Sequence, residues 1–193
     1  MLRLLGRVRW ETTGGLLDLG TVKQRTVLVA LAVDAGRLVT WSELVDRVWD
    51  QAPPTGARRV LYTCANRIRR LLETLNVAGG GPPARLVRRS GGYLLQLDPE
   101  QVDLHRFHRL VAAAGDRQRS YAEWARLPAE ALDLWPASPL ADLPGDWPTR
   151  VRQSLGPQRL DAGSAFVAAG PSRVRCPIEG GRLRGASDAF VAI

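Results

Sequence analysis

Lysine is nearly missing from this chain: Lys23 is the one lysine among 27 Lys and Arg residues. The preference for arginine is a matter of composition, so only the placement of the arginines carries information. Cysteine is scarce as well. Cys64 and Cys176 stand 112 positions apart, too few and too distant for a disulfide framework or a metal-ligand set. No apolar run approaches the ~20 residues that a membrane-crossing helix needs, so no membrane partner is expected. The opening stretch from Met1 to Trp10 is interrupted by Arg3, Arg7 and Arg9, which argues against a secretory leader and for a cytoplasmic chain. With 45% hydrophobic and 24% charged residues over 193 positions, the chain can bury a core and has room for one ordinary domain or two small ones.

The net charge of +8 is unevenly spread. Residues 1–100 hold 15 basic against 9 acidic residues, residues 101–155 hold 7 against 7, and residues 156–193 hold 5 against 3. Residues 58–89 alone carry eight arginines against the single acid Glu73. Such clustering points to a local polyanion-binding surface.

Residues 2–9 alternate apolar and basic side chains and read as a strand. Glu11–Gly15 reads as a turn and Leu16–Leu19 as a second short strand. Val27, Leu28, Ala30, Leu31 and Ala32 suit a helix over Lys23–Asp34, ended by Ala35-Gly36. After the extended pair Leu38-Val39, Thr40 or Ser42 can cap a helix over Glu43–Trp49, with Glu43 complementing its dipole. The segment Ala52-Pro53-Pro54-Thr55-Gly56 breaks that helix, and Thr55 can cap the next.

That next helix, about Ala57 to Leu75, is the most informative stretch. At about 100° per residue, Val60, Leu61, Cys64, Ala65, Ile68, Leu71, Leu72 and Leu75 fall on one arc. Arg58, Arg59, Tyr62, Thr63, Asn66, Arg67, Arg69 and Arg70 take the other. One face is expected to be buried, the other basic and hydrogen-bonding. Ala78–Pro83 reads as a loop. Leu86–Arg89, the turn Ser90-Gly91-Gly92 and Tyr93–Leu97 read as a β-hairpin with Arg88 and Arg89 beside its tip.

Beyond Asp98-Pro99 the pattern turns helical. Leu104, Phe107, Leu110 and Val111 mark one amphipathic helix to about Ala114. Tyr121–Trp135 marks another, which Pro128 is expected to kink or split, and Trp147–Leu155 a short third. Of the 38 residues from Gly156 to Ile193, 19 are Gly, Ala, Ser or Pro; this tail reads as disordered.

A helix of this kind fits the major groove of B-DNA, where arginine pairs with guanine and asparagine with adenine. Arginines at the helix flanks and in the hairpin can hold phosphates and fix register. The hairpin tip with Arg88 and Arg89 can enter the adjacent minor groove, whose potential attracts arginine. Helix plus basic hairpin is a winged helix-turn-helix arrangement.

Several segments also resemble a known family. Lys23-Gln24-Arg25, Leu44–Trp49, Asn66-Arg67-Ile68-Arg69-Arg70-Leu71-Leu72 and Arg89-Ser90-Gly91-Gly92-Tyr93-Leu94-Leu95 are similar to the OmpR/PhoB-type winged-helix domain of the antibiotic-regulatory activators, the SARP family. Val102–Phe107 and Ala131–Trp135 resemble the start of the bacterial transcriptional activation domain that follows it there. The resemblance covers about residues 2–155. It implies an α+β winged helix-turn-helix domain over 1–98, a partial all-α, helical-repeat (TPR-like) segment over 101–155, and leaves residues 156–193 as the disordered tail. It further implies that Arg59, Tyr62, Thr63, Asn66 and Arg67 face double-stranded DNA, that Arg69 or Arg70 clamps phosphate, and that Arg89 is the wing arginine. Binding to direct repeats, self-association on DNA and recruitment of RNA polymerase through the Asp50–Gly56 loop follow from the same likeness, as does activation of secondary-metabolite genes. Tyr62 stands where the family usually has a small polar residue, and Cys64 where an aromatic is common.

Other groups carry less. His105 and His108, at i and i+3, lack the accompanying carboxylates or cysteines of a metal site and read as surface histidines. Gly79-Gly80-Gly81 lacks the Gly-Lys-Ser/Thr ending of a phosphate loop and reads as a connector. Trp41 and Trp49 read as core or cap residues, and Cys64 as a small core hydrophobe. No acid–base pair or catalytic triad assembles, so neither an enzyme nor a cofactor or metal is expected. The alternatives to a specific regulator are a basic interaction module that binds nucleic acid without sequence preference or meets an acidic protein, and a non-activating competitor of longer relatives.

Overall fold

A computed structural model describes residues 1–78, 82–115 and 121–168. The chain opens on a small antiparallel sheet of β1 (Leu2–Arg3), β2 (Arg9–Thr12) and β3 (Gly15–Leu17), in the order β1-β2-β3. The expected strand over 2–9 is thus divided between β1 and the start of β2, and β2 continues to Thr12, through the first part of the expected turn. Helix α1 (Val22–Val33) follows, capped by the Thr21 side chain on the Gln24 amide. Val27 to Ala32 are buried without a break, because α1 is packed on nearly all sides and needs no polar face.

Strand β4 (Leu38–Thr40) leads into α2 (Trp41–Trp49). Of the two cap candidates the structure uses Thr40, in a full capping box: its hydroxyl accepts from the Glu43 amide, and the Glu43 carboxylate accepts from the Thr40 amide at 2.7 Å. Helix α3 (Ala57–Ala78) runs three residues beyond its expected end. Its entry is shaped by backbone rather than by the Thr55 hydroxyl: the Ala57 amide donates to the Pro54 carbonyl and the Arg59 amide to the Gly56 carbonyl. Strands β5 (Arg85–Arg89) and β6 (Gly92–Gln96) form the hairpin, and β4 joins its other side to give the order β4-β6-β5. Gly91 turns the hairpin with φ +87°, and a Cβ on Gly92 would sit 2.1 Å from the Val39 carbonyl oxygen. Glycine at these two positions is therefore dictated by the turn and by the approach of β4.

A 3-10 turn at Pro99–Gln101 leads into α4 (Asp103–Ala114), α5 (Tyr121–Asp133) and α6 (Asp146–Ala168). Pro128 lies inside α5 and does not split it into two helices. Helix α6 carries on through residues 156–168, which the composition reading assigns to a disordered tail. Leu155 and Ala162, seven residues apart, are buried on α6; Gly156, Pro157 and Gly163 beside them hide this buried stripe in the sequence. The rest of the tail, 169–193, lies outside the described residues, as does the glycine connector 79–81.

One continuous core unites these parts, running from Leu2 and Leu28 through Leu61 and Ile68 to Phe107, Trp135 and Ala162. The N-terminal segment is the seam. Leu2 pairs with Val102 in a parallel bridge, the Leu140 amide donates to the Leu4 carbonyl at 2.9 Å, and the Ala141 amide to that of Gly6 at 3.1 Å. Asp103 is fully buried, and its carboxylate accepts from the Leu4 and Leu5 amides at 2.7 and 3.0 Å. Burial pushes the Asp103 pKa upward, against the pull of these amide hydrogen bonds.

Candidate nucleic-acid interface

The α3 face opposite the core is exposed as its sequence periodicity requires. Leu61, Cys64, Ala65, Ile68 and Leu72 are buried, while Arg58, Arg59, Tyr62, Thr63, Asn66, Arg67 and Arg70 are exposed. Val60, expected in the buried arc, is instead 39% exposed at the edge of that arc. Burial raises the Cys64 thiol pKa, the opposite of what a nucleophile requires.

The polar face is not uniform. The Thr63 hydroxyl donates to the Arg59 carbonyl at 3.1 Å, which leaves its lone pairs and methyl group at the surface. Arg69, one of the two candidate phosphate clamps, is half-buried and turned toward the hairpin. Its Nε donates to the Leu86 carbonyl at 3.2 Å and its Nη1 to Asn66 Oδ1 at 2.8 Å, and its guanidinium lies 5.5 Å from the centre of the Tyr93 ring. Arg69 thus ties α3 to the wing and fixes the Asn66 amide. Arg70 stays exposed, without a hydrogen-bond partner for its side chain among the described residues. Arg67 and Arg70 also border a shallow cleft of about 300 Å³ with Asp18, Gly20 and Gln24.

An aromatic cluster closes the corner between α2, α3 and the hairpin. Trp41 is centred 5.0 Å from Tyr62 and 4.8 Å from Tyr93. It is half-buried and packs as a structural residue, in line with its expected role. Arg88 lies over Tyr62, 5.2 Å from the ring centre, and its Nη2 donates to the Tyr62 hydroxyl at 3.2 Å. Arg89 is exposed at the tip.

Ion pairing sorts the arginines in space. Arg3 and Arg9 meet Glu11, Arg25 meets Asp142, Arg37 and Arg47 meet Asp34, Arg109 meets Glu100 and Arg126 meets Glu130. None of these pairs lies on the α3 face or the wing tip. Arg58, Arg59, Arg67, Arg70, Arg88 and Arg89 form a surface without a carboxylate partner among the described residues, which leaves their charge directed outward.

Sequence reasoning missed the acidic residues that join the winged-helix part to the helical segment. The Asp50 carboxylate accepts from the Asp146 and Trp147 amides, both at 3.2 Å, at the start of α6. Asp142 accepts from the Val8 amide at 2.8 Å and from Arg25 at 2.7 Å. Arg47 lies 5.5 Å from the centre of the Trp147 ring. Partners 96 to 134 residues apart leave no local pattern. The histidines also have structural ties: His105 Nε2 lies 2.8 Å from the Ala32 carbonyl oxygen and His108 Nε2 2.8 Å from Gln158 Oε1. Among the described residues no three of His, Cys, Asp and Glu gather at one point, and no helix is long and apolar enough to cross a membrane.

Comparison with known proteins agrees with this architecture. Residues 17–95 match the family described as transcriptional regulatory protein, C terminal, and residues 102–174 match the bacterial transcriptional activator domain. The chain belongs to the SARP family of regulators. Within that family it is 36% identical over 161 residues to the regulatory protein AfsR of Streptomyces coelicolor, covering 81% of this chain and 15% of AfsR. It is 35% identical over 193 residues to the transcriptional regulator RedD of the same organism, covering 98% of this chain and 44% of RedD. A solved structure of Mycobacterium tuberculosis EmbR in complex with a low-affinity phosphopeptide superposes with a TM-score of 0.75 at 28% identity, over 87% of this chain and 44% of EmbR. This SARP chain therefore spans less than half the length of these relatives, which are regulators rather than enzymes by name.

Proposed function

We propose that this chain is a sequence-specific double-stranded DNA-binding regulator of transcription. The observation that carries the reading is the coincidence, on one helix face and the adjoining wing, of exposed arginines with no carboxylate partner among the described residues. In this reading α3 enters the major groove, and Arg59, Thr63, Asn66 and Arg67 approach base edges. Arg70 and the wing arginines hold the backbone and the minor groove. A reading part over residues 1–98 is followed by an activating part from residue 101, which α6 carries past residue 155 to Ala168. The family relationship supports binding to direct repeats with self-association on DNA, and contact with RNA polymerase through the Asp50–Gly56 loop, exposed from Gln51 onward. It also supports activation of secondary-metabolite genes by a cytoplasmic protein.

The test is selection of bound duplexes from a random DNA pool by the full chain at ~150 mM salt. The expected outcome is a recovered motif repeated in the same direction at about one helical turn, roughly 10–10.5 base pairs. Retention of any nucleic acid without a motif would replace this reading with that of a sequence-blind basic module.

A further inference from the structure

Tyr62 and Arg88 occupy one contact, and the strand register shows why. Arg88 is the cross-strand partner of Tyr93, and Arg89 that of Gly92. Cross-strand partners share a face of the sheet and neighbours along a strand alternate. Leu86 and Arg88 therefore lie on the face turned to α3, with buried Leu86 beneath, and Arg89 lies on the other. Of the two tip arginines only Arg88 reaches the recognition helix. There its guanidinium lies over the Tyr62 ring, at the outer side of a cluster in which Tyr62 packs at a tilt on Trp41 and Trp41 meets buried Tyr93 edge to face. One of its five donors is taken by the Tyr62 hydroxyl, and the others have no partner among the described residues.

We propose that Tyr62 is a positioning residue rather than a reader of bases: with Arg88 it forms a bracket that joins helix to wing and presents the guanidinium to one backbone phosphate. The phosphate is that of the strand passing between the major groove, occupied by α3, and the minor groove, approached by the tip. Arg89, on the opposite face of the hairpin and without a polar partner among the described residues, is the arginine that enters the minor groove. The division of labour follows from geometry. A side chain already held on an aromatic face at the helix–wing corner meets the backbone running past that corner, whereas a reader of the groove floor must extend beyond it. This inference rests on the DNA-binding reading above.

Two measurements on the full chain test it. In the first, affinity for a fixed duplex is followed against salt. Arg88→Ala should lower the log–log slope by about one and weaken all sequences alike by about tenfold. Tyr62→Ala should reproduce about a two- to fivefold part of that loss, Tyr62→Phe should lose less, and the double variant should bind no worse than Arg88→Ala. In the second, without DNA, a double-mutant cycle on thermal unfolding should show coupling between Tyr62 and Arg88. The proposal is overturned if Tyr62→Ala changes the preference at one base pair while its effect multiplies with that of Arg88→Ala, or if the free chain shows no coupling. Failure of the DNA-binding reading has a different signature: the unaltered chain would retain no duplex, or none selectively, whatever the cycle in the free chain shows.

Discussion

Single side chains on α3 divide by what already occupies them. Arg69 donates to Leu86 and Asn66, and Arg88 lies on Tyr62, whereas the charged ends of Arg67 and Arg70 are exposed. The two exposed arginines should behave differently. Arg67→Ala should cost about 1–3 kcal/mol of binding and relax the preference for particular bases, while Arg70→Ala should weaken all sequences alike. Titration of both variants against a selected duplex and a scrambled one checks this, and equal uniform losses would remove Arg67 from the base-reading set. At this scale the exposed face was legible from helical periodicity alone. The role of Arg69 was not, since periodicity places a residue on a face but does not say that a carbonyl of a strand 17 residues away will claim it. Val60 failed for a related reason: it sits at the border of the arc, where only the neighbouring element decides exposure.

Whole elements show where sequence signals are strong. Helix α2 has a complete start signal in Thr40 and Glu43, and the structure forms both hydrogen bonds of the box. Thr40→Ala should destabilise the chain by about 1 kcal/mol, measurable by thermal unfolding. The hydrogen bonds from Thr40 hold the Glu43 carboxyl below its ordinary range. Its contribution is therefore complete above the ordinary glutamate pKa of about 4.3 and is lost as pH falls through the lower folded value. Glu43→Gln should accordingly be less stable than the unaltered chain at neutral pH, with the gap closing in acid. The hairpin was equally readable, because glycine at its turn and alternating side chains in its strands have few other uses. Helix α6 was not. Gly156, Pro157 and Gly163 suppress helical periodicity in the sequence, yet the burial of Leu155 and Ala162 against the rest of the bundle holds the helix, an instance of tertiary packing overriding local preference.

Across the whole molecule, the helical segment is seated on the winged-helix part by carboxylates, fully buried at Asp103 and half-buried at Asp50 and Asp142, and not only by apolar contact. Asp50 ends α2 at φ +52° and accepts two amides of the first α6 turn. That places a negative charge at the positive end of a helix, an arrangement worth about 0.3–1 kcal/mol. Replacing Asp50 by glycine removes the carboxylate while suiting the positive φ. The expected result in Asp50→Gly is faster hydrogen exchange at Asp146 and Trp147 with unchanged protection in the buried half of α3; loss of protection in both would mean that Asp50 supports the entire fold. None of these long-range pairings could be read from the sequence, since Asp50, Asp103 and Asp142 are unremarkable in their local patterns and acquire meaning only when distant segments meet.

The route from Leu97 to Val102 has a mechanical consequence. It crosses a single 3-10 turn and ends in the pairing of Val102 with Leu2, so it is a seam and not a tether. A chain so joined packs its helical bundle on the winged-helix part through one continuous core. If α3 lies in the major groove, the azimuth of the bundle about the duplex axis is set by the protein itself. Two copies placed one helical turn apart would then project their bundles from the same side of the DNA, and half a turn of added spacing would send them to opposite sides. Phase along the duplex, rather than reach, would decide which bundles can act together.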